Sequence, residues 1–416
     1  MRNSFAAVLA FSLAGGQALA AEPDNLVLPA GFHASIVAEG LGPIRHMAVR
    51  DNGDIYVSTL HRRDQPSTGI IALRPGPDHK AAQTEHFGGV DQGTGIRIHK
   101  GALYAASGSG IYRFVLDGNS LVPSAPPEIL VDGLSPGNHP IAFDGKGSMF
   151  VSLDGGGNIC ADPNAPKGGK PVGLKPCPNL AVKGGVWRFD DSRPGQKFSD
   201  GEHYATGIRS SSALDWHAGD ALYSAMHGRD GTHEAFPEFV TASDDDAIPD
   251  EMFRVVKDTD MGWPYTYYDA ARKMRLVSPE YGGDGKTSPA GESYAAPVVA
   301  FQPRPAVLDL AFYNGNRFPQ KYRGGAFLAM HGSESGKLFA VGQGGYNITF
   351  VPFTGKRAGT PVVFADGFAG SSAGDKNPKS SAYRPVGVAV GADGALYVAD
   401  SNKGRIWRIA YGEPPN

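Results

Sequence analysis

Five stretches of the 416-residue chain place polar side chains just before a short alternating strand pattern: Arg45-His46, Asp91-Gln92, Asn138-His139, Arg209-Ser210 and Arg384. If these stretches share one mouth, guanidinium, amide and imidazole groups converge on a single pocket. Such a set suits an anionic, planar ligand, because the guanidinium fork pairs bidentately with carboxylates. Each residue also has a plainer use. His139, which precedes Pro140, serves equally well as a general base or as a partner for a loop carbonyl, and Arg209 and Arg384 could form surface ion pairs. Gln92 is a further candidate contact. The acidic run Asp244 to Asp246 reads as a solvated loop, with a calcium site as the alternative. Gly370-Ser371-Ser372-Ala373-Gly374 has the GxSxG spacing but neither a strand before it nor a helix after it, so it is set aside as a nucleophile elbow. The sequence contains no HExxH, no phosphate-binding loop and no dinucleotide fingerprint, so an oxidoreductase built on it would not hold nicotinamide in the usual way.

The elements that must position these residues repeat six times. A small or apolar alternation, a turn containing Gly and a second alternating strand recur at 47–58, 95–106, 141–152, 213–225, 310–330 and 388–400, each a hairpin signal. A third alternating strand follows each, at 69–73, 110–114, 184–189, 251–255, 345–351 and 404–409. Six repeats of a small sheet predict an all-β, six-bladed β-propeller. A barrel or a sandwich would not produce six similar units along nearly the whole chain. Allowing twenty residues for a leader leaves 66 per blade, well above the roughly 40 to 45 of a compact blade. The surplus forms long inserted loops at 153–183, 226–250, 262–305, 331–344 and 366–382, where binding groups on a rigid scaffold tend to lie. The 57 Gly and 32 Pro, about a fifth of the chain, agree with a turn-rich β protein.

Residues 1–20 read as a secretory signal peptide, with Arg2, an apolar stretch from Phe5 to Ala14 and the small-residue pattern Ala18-Leu19-Ala20, leaving 21–416 as one propeller domain. No later stretch is apolar enough to span a bilayer, so the expectation is a periplasmic or secreted protein without stable membrane insertion. A formal charge of −3 offers nothing to nucleic acid. In an oxidising compartment Cys160 and Cys177, which bracket a Pro-, Gly- and Lys-rich stretch, are expected to form a disulfide, two free thiols being the alternative.

The segments YATGIR (204–209), LYSAMHGRD (222–230), MGWPYTYYD (261–269), PEYGGDG (279–285), YRGGAFLAMHGS (322–333), QGGYN (343–347) and RPVGVAVGADGALYVAD (384–400) resemble those of the soluble glucose/sorbosone dehydrogenases. That family is a six-bladed propeller that uses pyrroloquinoline quinone (PQQ) and calcium. The resemblance implies that Arg209 contacts the quinone, with Ser210 replacing a family Asn. It implies that the backbone carbonyls of Gly228 and Arg229 hold calcium, that Arg384 is the sixth-blade arginine, and that His331 falls near a position where some members have Lys. It places the catalytic base at His139, although the interval from His139 to the following strand is shorter than the family's.

These readings together predict a quinoprotein dehydrogenase acting on a small sugar or sugar-like alcohol or aldehyde. His139 would take the hydroxyl proton, Gln92, Arg209, Ser210, His331 and Arg384 would contact the quinone, and a separate cytochrome or quinone would accept the electrons. Two alternatives stay open: a calcium-dependent hydrolase of the lactonase type, which needs acidic residues at the strand entries, and a binding propeller that has lost its cofactor.

Overall fold

The computed structural model describes residues 26–59, 69–88, 92–165, 168–333 and 344–412, with Gln92 described in its backbone alone. The expected leader and Asp91 lie outside these residues. Among the described residues, six four- or five-stranded sheets follow one another along the chain, antiparallel except where Gln196–Lys197 and Thr259–Asp260 add parallel outer strands to the second and third. Their innermost strands are Ile44–Val49, Gln92–His99, Ile141–Phe143, Ala213–Trp216, Val307–Phe312 and Pro385–Val390. Each of these strands packs beside the next, and the sixth packs beside the first, which closes the ring of a six-bladed propeller.

The repeated hairpins occupy the first two strands of each blade, and the third alternating segments occupy the third strands. In the second blade Lys100 and Gly101, both at positive φ (49° and 76°), make the tight turn whose twist matches its flanking strands. The outer strands are less regular. Ala81–Phe87 in the first blade is mostly exposed, and Glu128–Asp132 in the second follows a run of prolines.

Two inner-strand glycines let the blades approach each other at the axis. A Cβ on Gly95 would collide with the His139 carbonyl oxygen, and one on Gly387 would stand 2.6 Å from the Arg45 carbonyl oxygen. Both contacts fall where one blade's strand-entry residues meet the next blade.

The ring closes through the chain's two ends. Phe32–Ala38 supplies the outermost strand of the sixth blade, pairing antiparallel with Ile406–Tyr411 from Phe32 opposite Tyr411 onward. Phe32 is 4% exposed, and its ring meets Phe318, Phe364 and Tyr322 edge-on at 4.7, 4.9 and 5.3 Å. The closing strand is therefore anchored by side-chain packing as well as by its ladder.

The inserted loops carry small elements of their own. The segment 226–250 holds two short helices, Thr232–Ala235 and Ala242–Asp246, and the segment 262–305 holds the ribbon Thr266–Asp269 with Met274–Val277. Cys160 and Cys177 are disulfide-bonded, with Cα atoms 5.7 Å apart, and pack against Trp263. No described helix is long and apolar enough to cross a membrane.

Replacing Phe32 with Ala should cost about 3 to 5 kcal/mol, the usual range for deleting a buried aromatic ring. The denaturant midpoint would report it. A loss below about 1 kcal/mol would show that the closing strand lies outside the cooperative unit.

Candidate functional site

Chain direction puts the entry to each inner strand and the exit from each second strand at the same end of the ring. A cavity of about 330 Å³ opens there. Arg45 of the first blade, Asn138 of the third, and Arg209 and Ser210 of the fourth line it from strand entries. His227, Gly228 and Asp230 follow the fourth blade's second strand, Asp250 begins its third, and Arg304 and His331 come from the fifth blade. The expected convergence of guanidinium, amide and imidazole groups is present.

The cavity wall is a web of charge pairs. Arg209 donates from Nε to Asn158 Oδ1 at 2.9 Å and from Nη2 to Asp230 Oδ2 at 3.0 Å. Asn158 in turn donates to the Asp230 carbonyl at 2.6 Å. Asn158 stands two residues before Cys160, so the disulfide loop helps to aim Arg209. Ser210 donates its hydroxyl to Asp154 Oδ2 at 3.1 Å, while Asp154 Oδ1 accepts the Ser211 amide at 2.8 Å. Burial pushes the Asp154 carboxyl up, against the pull of these donors and of His227.

Asp250 is 1% exposed, and its Oδ1 accepts the Gly228 amide at 2.9 Å. Its Oδ2 has no hydrogen-bond partner among the described residues, although the side chain lines the cavity. Burial raises its pKa, with His227, the Gly228 amide and Arg304 opposing. A buried carboxyl oxygen without a partner at a ligand cavity is a candidate proton acceptor.

The residues expected from the sequence divide into two groups. Arg209, Ser210, Gly228 and His331 line the cavity. His331 is buried, with Nε2 bonded to Ser401 Oγ at 2.8 Å, and burial followed by the charges of Arg384 and Arg45 holds its pKa well below the usual range. Arg384 does not line the cavity. It is spent on the His331 to Ser333 segment, donating to the carbonyls of His331 at 3.2 Å and Gly332 at 2.7 Å, with Tyr346 against its guanidinium. The Gln92 side chain lies outside the described residues.

His139 is also set back. At φ 48° its backbone takes the left-handed conformation, and its ring is 1% exposed, with Nε2 bonded to the Gly108 carbonyl at 3.2 Å. Asn138 lines the cavity in its place. Because a carbonyl can only accept, Nε2 carries the proton, and the acceptor nitrogen is Nδ1, which has no described partner. Burial lowers the His139 pKa, keeping the ring neutral.

The calcium arrangement meets an obstacle at Arg229. The Arg229 side chain pairs with Glu280 at 2.6 Å, both groups being buried. Its carbonyl oxygen, one of the two expected calcium ligands, accepts a hydrogen bond from Arg304 Nη1. Nor is the acidic run a solvated loop throughout. Asp245 is fully buried, accepting the Thr232 amide at 2.9 Å and, through its carbonyl, Arg304 Nη1 at 3.1 Å. No group of three or more potential metal ligands from His, Cys, Asp and Glu occurs among the described residues. A divalent calcium needs six to eight oxygens, and the donor set here does not fit one.

Asp154, Asn158, His227, Asp230, Asp250 and Arg304 are site residues that sequence reasoning did not single out. Arg304 had a usable signal, since it stands three residues before the fifth inner strand, the one entry at which no polar residue was singled out.

Beneath the cavity floor, His46 is fully buried, and Nε2 donates to the Leu308 carbonyl at 2.7 Å. Burial pulls its pKa down to about 4, outweighing the attraction of Asp309.

A family model described as TrAA12-like matches residues 274–412. The calcium structure of the Trichoderma reesei carbohydrate-active enzyme of family AA12 superposes at a TM-score of 0.70 with 15% identity, covering 93% of this chain and 97% of that one. The holo form of the pyranose dehydrogenase PQQ domain from Coprinopsis cinerea gives 0.68 and 16%, covering 94% and 98%. The PQQ-bound aldose sugar dehydrogenase from Streptomyces coelicolor gives 0.56 and 18%, covering 92% and 99%. Among curated proteins, an uncharacterized protein of Borreliella burgdorferi is 27% identical over 214 residues, half of this chain and 49% of its own length. The chain thus has the propeller fold of these AA12 and PQQ-dependent proteins.

The His46 arrangement predicts a pH dependence. The folded state keeps His46 neutral down to about pH 4, whereas an unfolded histidine takes up its proton near 6.5. Between these values the unfolded chain binds more protons, so stability falls on acidification by up to about 1.4 kcal/mol per pH unit from this residue. Urea midpoints of the native chain and of His46→Asn, compared across this range, should converge as the pH drops. Parallel profiles would show that His46 is not the group responsible.

Proposed function

We propose that the chain is a quinoprotein oxidoreductase that binds pyrroloquinoline quinone in the channel-mouth cavity and oxidises a hydroxyl or hydrated aldehyde of a sugar-like molecule. The observation that carries this reading is the cavity rimmed by Arg45, Arg209 and Arg304, at the mouth of a fold that holds PQQ in the Coprinopsis and Streptomyces proteins. Bound there, the quinone would accept a hydride from the substrate carbon.

The chain's own residues account for the rest. Arg45 and Arg209 offer planar forks to the ligand's carboxylates. Arg209 can exchange its partner cheaply, because the Asp230 side chain is 68% exposed and returns to solvent when a ligand carboxylate displaces it. Ser210 and the imidazoles of His227 and His331 supply further hydrogen-bonding groups to the wall. Asp250, unpartnered at Oδ2 and lining the cavity, is better placed than His139 to take the hydroxyl proton, because His139 bonds Gly108 behind Asn138.

Electrons leave to a separate acceptor, a cytochrome or another quinone. The Cys160–Cys177 disulfide supports a site of action outside the cytoplasm, periplasmic or secreted. The hydrolase alternative needs carboxylates free to converge on one metal. Here Asp250 has a carboxyl oxygen without a described partner and Asp230 is exchangeable, but Asp154 is held by Ser210 and Ser211 and Asp245 by Thr232, and no group of three potential His, Cys, Asp or Glu ligands occurs among the described residues.

The chain supplied with PQQ should reduce an artificial dye with aldoses or related alcohols as donors. Asp250→Asn should lower kcat by about 10²-fold or more while PQQ affinity stays, whereas His139→Asn should cost less than about tenfold. The reverse order would return the base to His139, and failure of PQQ to bind would end the quinone reading. Asn158→Ala, which releases Arg209 and Asp230 together, should weaken PQQ binding by about tenfold in a fluorescence titration.

A further inference from the structure

We propose that Arg304 is a resident cation in the position where a calcium ion would otherwise sit, so that this site binds its anionic ligand without a divalent metal. The inference deepens the quinone reading and rests on it, but its metal arm can be tested separately.

The argument begins at the Arg229 carbonyl. For that oxygen to ligate calcium it must face the ion at about 2.3 to 2.6 Å. It instead accepts a hydrogen bond from Arg304 Nη1, which also donates to the Asp245 carbonyl at 3.1 Å. An ion on the same oxygen would stand within a few ångströms of a guanidinium that is 6% exposed, where charge repulsion is poorly screened. The nearby carboxylates already balance this guanidinium: Asp245 Oδ2 lies 3.8 Å from Nη2, and Asp230 Oδ1 lies 3.7 Å from Nε.

Local covalent structure makes the placement durable. Arg304 stands between Pro303 and Pro305, which narrow its backbone freedom at the entry to the fifth inner strand. Its stem crosses Gly228 closely: a Cβ there would lie 3.1 Å from Arg304 Cδ. The Pro249 carbonyl oxygen is the tighter neighbour of such a Cβ, so the backbone there sets the need for glycine and the arginine stem packs against the space it leaves. A cation built this way is present at full occupancy, unlike an ion that must be bound from solution. It suits planar ligands that carry carboxylates or adjacent carbonyl oxygens.

The test uses the full chain after chelator treatment, with Arg304→Gln and Arg304→Lys as variants and circular dichroism to confirm folding. Calcium chloride is titrated calorimetrically into each protein, and PQQ is titrated by fluorescence with EGTA and with millimolar calcium. The native chain should take up no calcium at this site and should bind PQQ equally in both buffers, within about twofold. Arg304→Gln should lose PQQ affinity by about tenfold or more in EGTA and recover most of it with calcium. Arg304→Lys, which keeps the charge, should remain independent of calcium. Calcium uptake by the native chain that Arg304→Gln leaves unchanged would overturn the proposal. So would a loss of PQQ binding by the native chain in EGTA. If PQQ binds under no condition, the quinone reading falls, and calcium uptake by Arg304→Gln but not by the native chain still decides the role of Arg304. Should the Gln variant not fold, the native and Lys titrations decide it.

Discussion

The functional end of this propeller depends on how closely adjacent inner strands can approach at the axis. The Gly95 backbone lies against the His139 carbonyl, and the Gly387 backbone lies against that of Arg45. Any side chain at these two positions would push neighbouring blades apart and widen the ring where its polar residues must meet. Close approach brings entries from the first, third, fourth and fifth blades into one cavity wall. It also forces some residues outward, and Arg384 and His139 spend their polar atoms on neighbouring loops.

Charge at the cavity is arranged in layers. The Asp230 carboxylate lies outward (68% exposed), and the guanidiniums of Arg209 (15%) and Arg304 (6%) lie deeper. Burial lowers the pKa of His139 against the pull of Asp154, and burial together with the charges of Arg384 and Arg45 lowers that of His331. Arginine cannot lose its charge under these conditions, so the wall keeps a fixed positive character while the acids around it adjust. Asp230 is exposed and exchangeable, whereas Asp245 is buried and structural. Two members of the HGRD segment, Arg229 and Asp230, thus serve different purposes: one braces the loop through Glu280, and the other pairs with Arg209 at the cavity.

Most of the scaffold was legible because hairpins write themselves locally: period-two alternation and a turn with positive φ lie within a dozen residues of each other. The outer strands carry no such mark. Ala81–Phe87 is exposed from Ala82 to His86 and shows no apolar alternation, and Phe32–Ala38 pairs with a strand far along the chain, which no local pattern encodes. The same limit divides the site. Arg209 and Ser210 follow from their position relative to the strands, whereas His331 was implied by the family resemblance alone. Asp250 opens a third strand rather than a first, and Asn158 sits in a loop without periodicity, so neither had a positional signal. Side-chain direction was also hidden, since only the left-handed turn at His139 shows which way its imidazole goes.

The seam between the two ends has a kinetic side. Because the strand from Phe32 to Ala38 precedes the first blade and its partner from Ile406 to Tyr411 belongs to the sixth, the ladder that seals the ring is among the most non-local contacts in the described residues. Such contacts close a long loop before they return any energy, and they slow folding. Until that strand docks, the sixth blade has an open edge and the aromatic cluster around Phe318 and Phe364 lacks a ring. The nascent chain must therefore travel as an open arc, vulnerable to pairing with other chains, until its last blade is made.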